Sequence, residues 1–356
     1  MFHKFKNKKI IVTGHTGFKG SWLTLWLNLL GAKIIGISID LPSKPSHFEK
    51  LNLIKKITNI KLDIRNLKKL EKVFKRHQPD FIFHLAAQSL VKKSYANPID
   101  TFTKNTIGTM NVLESLKQIN KKFAAVIVTS DKTYKNLEIK RGYHEEDLLG
   151  GKDPYSASKG AAEIIIQSYI SSYFEKDNKS NIAVARAGNV IGGGDWSEDR
   201  LIPDCVKSWS INKKVIIRNP KSTRPWQHVL EAIRGYLTLA LCLYKDHKLH
   251  GEPFNFGPNY AQNKNVITLV KEMRKYWKSI LWSEKKNYYE PYESKLLKLD
   301  STKARKKLNW VPILSFEDTI KLTTVWYENF YNKKKINIYE LSKKQIEEYI
   351  KRIKKN

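Results

Sequence analysis

Two cysteines, Cys205 and Cys242, are all that the 356 residues contain. That excludes a disulfide framework or a cysteine-built zinc cluster, and it suits a reducing cytosol. Arginine is also scarce: of 65 Lys+Arg residues, 11 are arginine and 54 lysine. Acidic residues number only 34, which leaves a formal charge of +31. Such an excess invites a nucleic-acid or anionic-membrane partner. Planar, bidentate reading of phosphates and guanine edges favours arginine, however. A lysine excess therefore reads as background, and no nucleic acid is expected as a partner. Long apolar runs are missing as well. After the lysine-rich Met1 to Lys9 comes only Ile10-Ile11-Val12, too short for an export signal. Trp22 to Ile39 is broken by Asn28, Gly31 and Lys33 and changes from helical to strand period half-way. A span needs about 20 predominantly apolar residues, so the expectation is a cytoplasmic chain without a membrane partner. His228 lacks a second ligand at metal-binding spacing, and no metal is expected. Hydrophobic residues make up 41%, enough for a real core and against wholesale disorder.

What is present is an alternation. Lys9 to Thr13 is a β-branched run, Gly14 to Gly20 a glycine-rich turn, and Ser21 to Leu30 a helix stopped at Gly31. Strands follow at Ile34 to Ile39, around Asn59 to Leu62, at Phe81 to Leu85 and at Ala124 to Ser130. Helices fall between them at Leu67 to His77 and Thr103 to Ile119. A long helix begins at Pro154 and runs to about Phe174, before a strand at Ile182 to Arg186. This rhythm means right-handed crossovers, hence an α/β fold with a doubly wound parallel sheet of the Rossmann type. From Gly188 the texture turns loop-rich and aromatic, as in a smaller substrate lobe. The expected division is a dinucleotide domain over 1–187 with a returning segment around 228–258, and a lobe over 188–227 and 259–335. A basic helix over 336–356 closes the chain, its apolar positions at Ile346, Tyr349, Ile350 and Ile353.

Gly14-His15-Thr16-Gly17-Phe18-Lys19-Gly20 lies between predicted strand and helix. Gly14 permits the tight turn, Gly17 the close approach of a pyrophosphate, and Gly20 the packing of helix on sheet. The helix N-terminus then offers N–H donors to the phosphates. Asp40 ends the next strand, where an acid holds an adenosine ribose and repels a 2′-phosphate, which predicts NAD rather than NADP. Asp63-Ile64, ending the third strand, either contacts adenine or simply caps the strand.

Tyr155 and Lys159 stand four residues apart on a predicted helix and so share a face. A neighbouring ammonium favours the phenolate and lowers the tyrosine pKa, making it a base useful near neutrality. Ser130, followed by Asp131 and Lys132, ends the strand before that helix. A hydroxyl, a phenol and an ammonium above the carboxyl ends of a parallel sheet, beside a nicotinamide, move hydride to and from a carbinol carbon.

These motifs, with His84-Leu85-Ala86-Ala87-Gln88, resemble the extended short-chain dehydrogenase/reductases and, among them, the nucleotide-sugar 4,6-dehydratases. Longer runs resemble the branch acting on CDP-glucose: GHTGFKGSW from Gly14, TSDKTY from Thr129, GGKDPYSASK from Gly150, RAGNVIGGGDWSEDRLIPD from Arg186 and RPWQHVL from Arg224. The resemblance covers nearly the whole chain. It implies a tightly held NAD, regenerated each turnover, and extends the cofactor set to Thr16, Phe18, Lys19, Ala86, Ala87, Gln88 and Asn105. It implies that Tyr155 takes the proton of the sugar 4-hydroxyl, with Ser130 on the same oxygen, and that Asp131 and Lys132 serve the elimination of water. Lys132 is either the base at C5, for which its pKa must fall, or only a stabiliser of the enolate. Gln88, Asn189, Arg200, Leu201, Arg218, Arg224 and Trp226 are the substrate candidates, the arginines for bidentate contact with a diphosphate. The product is a 4-keto-6-deoxy sugar, as in deoxysugar synthesis for lipopolysaccharide O-antigen. A homodimer or homotetramer is implied, through the helix ending near Ile119 and the one carrying Tyr155. Alternatives are the same reaction on a dTDP-, GDP- or UDP-hexose, and a sugar epimerase, which Asp131-Lys132 disfavours. A regulator that binds NAD without turnover has no use for Ser130, Tyr155 and Lys159.

Overall fold

The computed structural model describes residues 2–217, 219–259, 262–284, 297–332 and 336–355. Its strands are β1 Lys9–Thr13, β2 Lys33–Ser38, β3 Thr58–Lys61, β4 Phe81–His84, β5 Phe123–Val128, β6 Ser180–Ala187, β7 Val190–Ile191, β8 Val215–Ile217, β9 Thr223–Pro225, β10 Gln227–His228, β11 Pro253–Phe256, β12 Asn263–Asn265 and β13 Trp282–Glu284. Its helices are α1 Phe18–Leu29, α2 His47–Lys50, α3 Leu67–His77, α4 Val91–Ala96, α5 Pro98–Phe102, α6 Gly108–Leu116, α7 Pro154–Tyr169, α8 Leu201–Trp209, α9 Val229–Lys245, α10 Val266–Tyr276, α11 Thr302–Leu308, α12 Phe316–Asn332 and α13 Ile338–Ile353.

The central sheet has seven strands in the order β11-β6-β5-β4-β1-β2-β3, every pair parallel. Strand order reverses between β1 and β4, so the crevice beyond their carboxyl ends is the natural ligand site of such a sheet. Apart from the exposed edge strand β3, the sheet is buried on both faces, which is why its strands read as largely apolar runs. On β5, Ala124, Val126 and Val128 face one core while Phe123, Ala125 and Ile127 face the other, the period of two that a strand imposes. α1 and α9 cover the first face, and α3, α6 and α7 the second.

The predicted helix from Thr103 is interrupted. α5 passes into a π turn at Thr103–Ile107 before α6 begins. The side chain of Asn105, inside that turn, is hydrogen-bonded to the backbone of Gln88 and to Ser158. Beyond β6 the strands are short and pair only in twos: β10 with β7, β12 with β9 and β13 with β8. The closing helix α13 packs on α1 and α12. It buries Ile346 and Tyr349, and the Tyr349 hydroxyl donates to Glu231 Oε2 at 2.7 Å. Among the described residues no helix is long and apolar enough to cross a membrane.

Candidate active site

The glycine turn builds a cradle that side chains would fill. Gly14 has a φ of +73°, and a Cβ there would stand 2.7 Å from the Ala86 nitrogen. A Cβ on Gly20 would meet the Gly14 carbonyl oxygen at 2.0 Å. The N-terminus of α1 carries no side-chain cap and no acid in its first turn. Its first N–H groups therefore face the cleft as donors for an anion, and the residues fit a dinucleotide pyrophosphate. Thr16 Oγ1 donates to the Asp40 carbonyl at 2.7 Å, tying this turn to the end of β2. The Asp63 carboxylate is already held by Arg65, through Nε at 2.9 Å and NH2 at 2.6 Å. Partial burial opposes ionisation there, yet the Arg65 hydrogen bonds and charge keep Asp63 below the usual carboxylate range. Asp63 thus has its partner at the strand end, and both it and Ile64 line the cleft.

At the end of β5, Ser130 Oγ donates to Asp131 Oδ1 at 2.9 Å and accepts from the Lys132 backbone N–H at 3.2 Å. Asp153 caps α7 by accepting from Ser156 N at 3.0 Å, and Pro154 opens the helix. This start brings Tyr155 into hydrogen-bond reach of Ser130. Burial is the largest influence on the Tyr155 phenol and pushes its pKa up; the Ser130 hydrogen bond and the Arg200 charge pull the other way. The expectation of a lowered tyrosine is thus reversed, because desolvation outweighs the Ser130 hydrogen bond and the Arg200 charge. Burial also brings Lys159 down to about 8, opposed by Glu163. Lys19, at the head of α1, falls to about 8 through burial and the Arg200 charge, with Asp131 opposing.

A cleft of about 1430 Å³ joins these groups to the lobe. That exceeds the roughly 300–1,000 Å³ of a single-ligand pocket and leaves room for two extended ligands. Asn189, Arg200, Leu201, Arg224 and Trp226 line it, with Ala86, Ala87, Asp40 and Ile64 on the opposite wall. Asp195 holds Arg200 at 3.2 Å, and Arg224 donates to the Thr223 carbonyl at 2.8 Å. The Trp226 indole is buried and donates to the Lys264 carbonyl at 2.8 Å. Arg218 lies outside the described residues.

Two of the candidate side chains are bonded to their own neighbours. Asn105 does not line the cleft. Its amide exchanges hydrogen bonds with the Gln88 backbone at 2.7 and 3.0 Å, so it braces the wall from behind. The Gln88 side chain turns inward, accepting from Leu90 N and donating to the Leu90 carbonyl and Thr101 Oγ1. Gln88 itself lines the cleft. His84 and His228 are buried; His84 is bonded to Thr13 at 2.7 Å and Thr109 at 3.1 Å. The sequence reading missed Asp195 and the buried Glu163–Arg186 pair. Asp195 directly follows the Gly192 to Gly194 run, a loop signal beside a scarce arginine; the pair left no local signal.

A doubly wound parallel sheet, a glycine cradle at the first turn, and Ser130, Tyr155 and Lys159 around one cleft define an extended short-chain dehydrogenase/reductase. The model of the GDP-mannose 4,6 dehydratase family matches residues 11–323, and the chain belongs to that family. It is 41% identical, over 97% of its own length and 97% of the other's, to a CDP-glucose 4,6-dehydratase of Salmonella typhimurium. Among solved structures it resembles an epimerase of Methanothermobacter thermautotrophicus, with a TM-score of 0.79 at 24% identity, covering 94% of this chain and 96% of that one. A dTDP-glucose 4,6-dehydratase of Bacillus anthracis, solved in complex with NAD, superposes with a TM-score of 0.75 at 24% identity over 92% and 98% of the two chains.

Proposed function

We propose that the chain is an NAD-dependent hydro-lyase that converts CDP-glucose to CDP-4-keto-6-deoxyglucose and water. The observation that carries this reading is the Ser130-Asp131-Lys132 corner. It stands beside Tyr155 and Lys159 in one cleft, in a chain similar over its length to a CDP-glucose 4,6-dehydratase. NAD, when bound, supplies the acceptor for the C4 hydride and gives that hydride back to C6. Tyr155 takes the proton of the 4-hydroxyl, and Ser130 Oγ steadies the same oxygen. Burial holds the phenol above its ordinary value, and positive charge brought close to it would favour the phenolate. The 4-ketone acidifies the C5 proton, since its removal gives an enolate. Lys132 and Asp131 are the groups at hand for that proton and for the departing 6-hydroxyl.

Asp40 at the end of β2 favours NAD over NADP. Arg200 and Arg224, with Asn189, grip the substrate diphosphate from the lobe. Residues 1–187 with 228–258 form the cofactor domain, and the remainder up to 335 the substrate lobe. The protein acts in the cytoplasm as a homodimer or a homotetramer. In support, α4, α5 and α7 expose Tyr95, Ile99 and Ile164 at 66%, 79% and 59%, apolar side chains that a second copy of the chain would cover.

The test is to offer purified protein and NAD the glucose conjugates of CDP, dTDP, GDP and UDP. A 4-keto product from the CDP sugar is expected. Turnover of only another nucleotide would overturn the substrate, and no turnover of any would overturn the enzyme.

A further inference from the structure

Beneath the reacting groups lies an ion pair to which the reaction itself assigns no task. Glu163 and Arg186 are each 1% exposed. Glu163 sits on α7, one turn after Lys159 and two after Tyr155, so the three share a face. Its carboxylate accepts from Thr129 Oγ1 at 2.6 Å, the residue before Ser130. It also accepts from Arg186 Nε, 2.9 Å from each oxygen, and from Arg186 NH2. Arg186, on β6, donates NH1 onward to the Tyr134 hydroxyl at 2.7 Å and to the Glu145 carbonyl at 2.9 Å. The Tyr134 hydroxyl donates to Asn255 Oδ1 on β11 at 2.8 Å. One network thus clamps α7, the ends of β5 and β6, and both sides of the turn that holds Ser130, Asp131 and Lys132.

A buried ion pair is poor value as a stabiliser, since well-packed apolar residues often do as well. What it does supply is fixed geometry and fixed charge. Four hydrogen bonds converge on the carboxylate, three of them from Arg186. The charged and titratable groups around Lys159 are Tyr155 and Glu163 on α7, His84 on β4, and Lys19 at the head of α1, itself facing Asp131 and Arg200. His84 is neutral, held down to about 3 by burial. Lys19 repels the Lys159 ammonium. Glu163 is the acid that acts on it favourably.

We propose that Glu163 is a positioning residue of the reaction: clamped by Arg186 and Thr129, it fixes the α7 face carrying Tyr155 and Lys159 against Ser130 and supplies the negative charge opposite the Lys159 ammonium. The proposal rests on the dehydratase reading for its reaction, but not for its first test.

That test is competitive acetylation of Lys159 in the ligand-free protein as a function of pH, read by mass spectrometry of its peptide. Only the neutral amine reacts. In Glu163→Gln the midpoint should fall by about one pH unit or more, so Lys159 labels roughly tenfold faster on the acid side of its midpoint. The alkaline limb of kcat/KM for CDP-glucose should move down by the same interval. A folded E163Q protein with wild-type midpoint and limb would overturn the proposal, whereas a merely structural role would lower activity without moving either. Thr129→Val keeps the charge and cuts one link of the clamp. It should leave the labelling midpoint in place while lowering kcat about 3–10-fold at constant KM, a loss the size of one hydrogen bond. This variant decides the matter if E163Q does not fold, because an unchanged kcat in T129V would sink the clamp. Wild type that labels normally but turns over no CDP-sugar would count against the proposed reaction and not against the Glu163–Lys159 coupling.

Discussion

The two walls of the cleft are built in opposite ways. At the ends of β5 and β6, Ser130, Asp131, Tyr155 and Lys159 stand on a seven-stranded sheet and a sixteen-residue helix, with a hydrogen-bonded ion pair behind them. In the lobe, β8, β9, β12 and β13 have three residues each and pair only in twos. Two-stranded pieces are marginal by themselves, and Ile216, which lines the cleft, is 61% exposed. Bond-making groups need fixed distances, because small displacements cost large factors in rate. Groups that grip a nucleotide tolerate a more yielding frame that settles on the ligand.

That contrast can be broken most sharply at Tyr155. Tyr155→Phe should lower kcat about 10²–10⁴-fold, the usual worth of a general acid–base group, with substrate affinity by titration almost unchanged. A lost affinity with retained kcat would move Tyr155 to the binding wall.

The rigid body should also betray itself in acid. His47, His84 and His228 are buried, and desolvation takes each from its ordinary value of 6.5 down to about 3. Between those limits the unfolded chain binds more protons than the native one, so stability is present above pH 6.5 and lost as pH falls towards 3. With three such groups the slope approaches about 4 kcal/mol per pH unit. Urea midpoints from pH 7 to 4 measure it, and a flat profile would contradict these burials.

In the cofactor cradle, Gly20→Ala must displace the Gly14 carbonyl. It should cost about 1–3 kcal/mol as overpacking does, and abolish NADH binding followed by fluorescence. The lobe wall should respond more mildly. Arg224→Lys keeps the charge and loses the fork, raising KM about tenfold with kcat within about twofold. Smallest of all is Asp199→Asn, which removes the exposed ion pair of Asp199 with Lys92 at 2.6 Å. It should change stability by less than about 1 kcal/mol.

The rigid wall was also the readable one. Strand period, glycine spacing and the four-residue step from Tyr155 to Lys159 are local, and local patterns survive in a linear sequence. A side chain whose partner is distant in the chain leaves no such pattern. Asn105 is bonded to a loop 17 residues away and Ser158 53 residues away. Nothing nearby marks it as a brace, or marks the π turn that places it. Gln88 lines the cleft, and its bonds to Leu90 and to Thr101, 13 residues on, leave no mark in the local sequence. Glu163 and Arg186 meet across 23 residues, from a helix and a strand that each look ordinary. The direction of the Tyr155 shift was misjudged for a related reason: helical spacing reveals the neighbouring charge but not the depth of burial.

The proposed chemistry has one defining feature: hydride leaves C4 and comes back at C6 within one cleft. Supplying CDP-glucose carrying deuterium at C4 and locating the label in the product by NMR tests it directly. The deuterium is predicted in the new C6 methyl group of a 4-keto product. Label returned to C4 with inverted configuration, or lost to solvent, would contradict it.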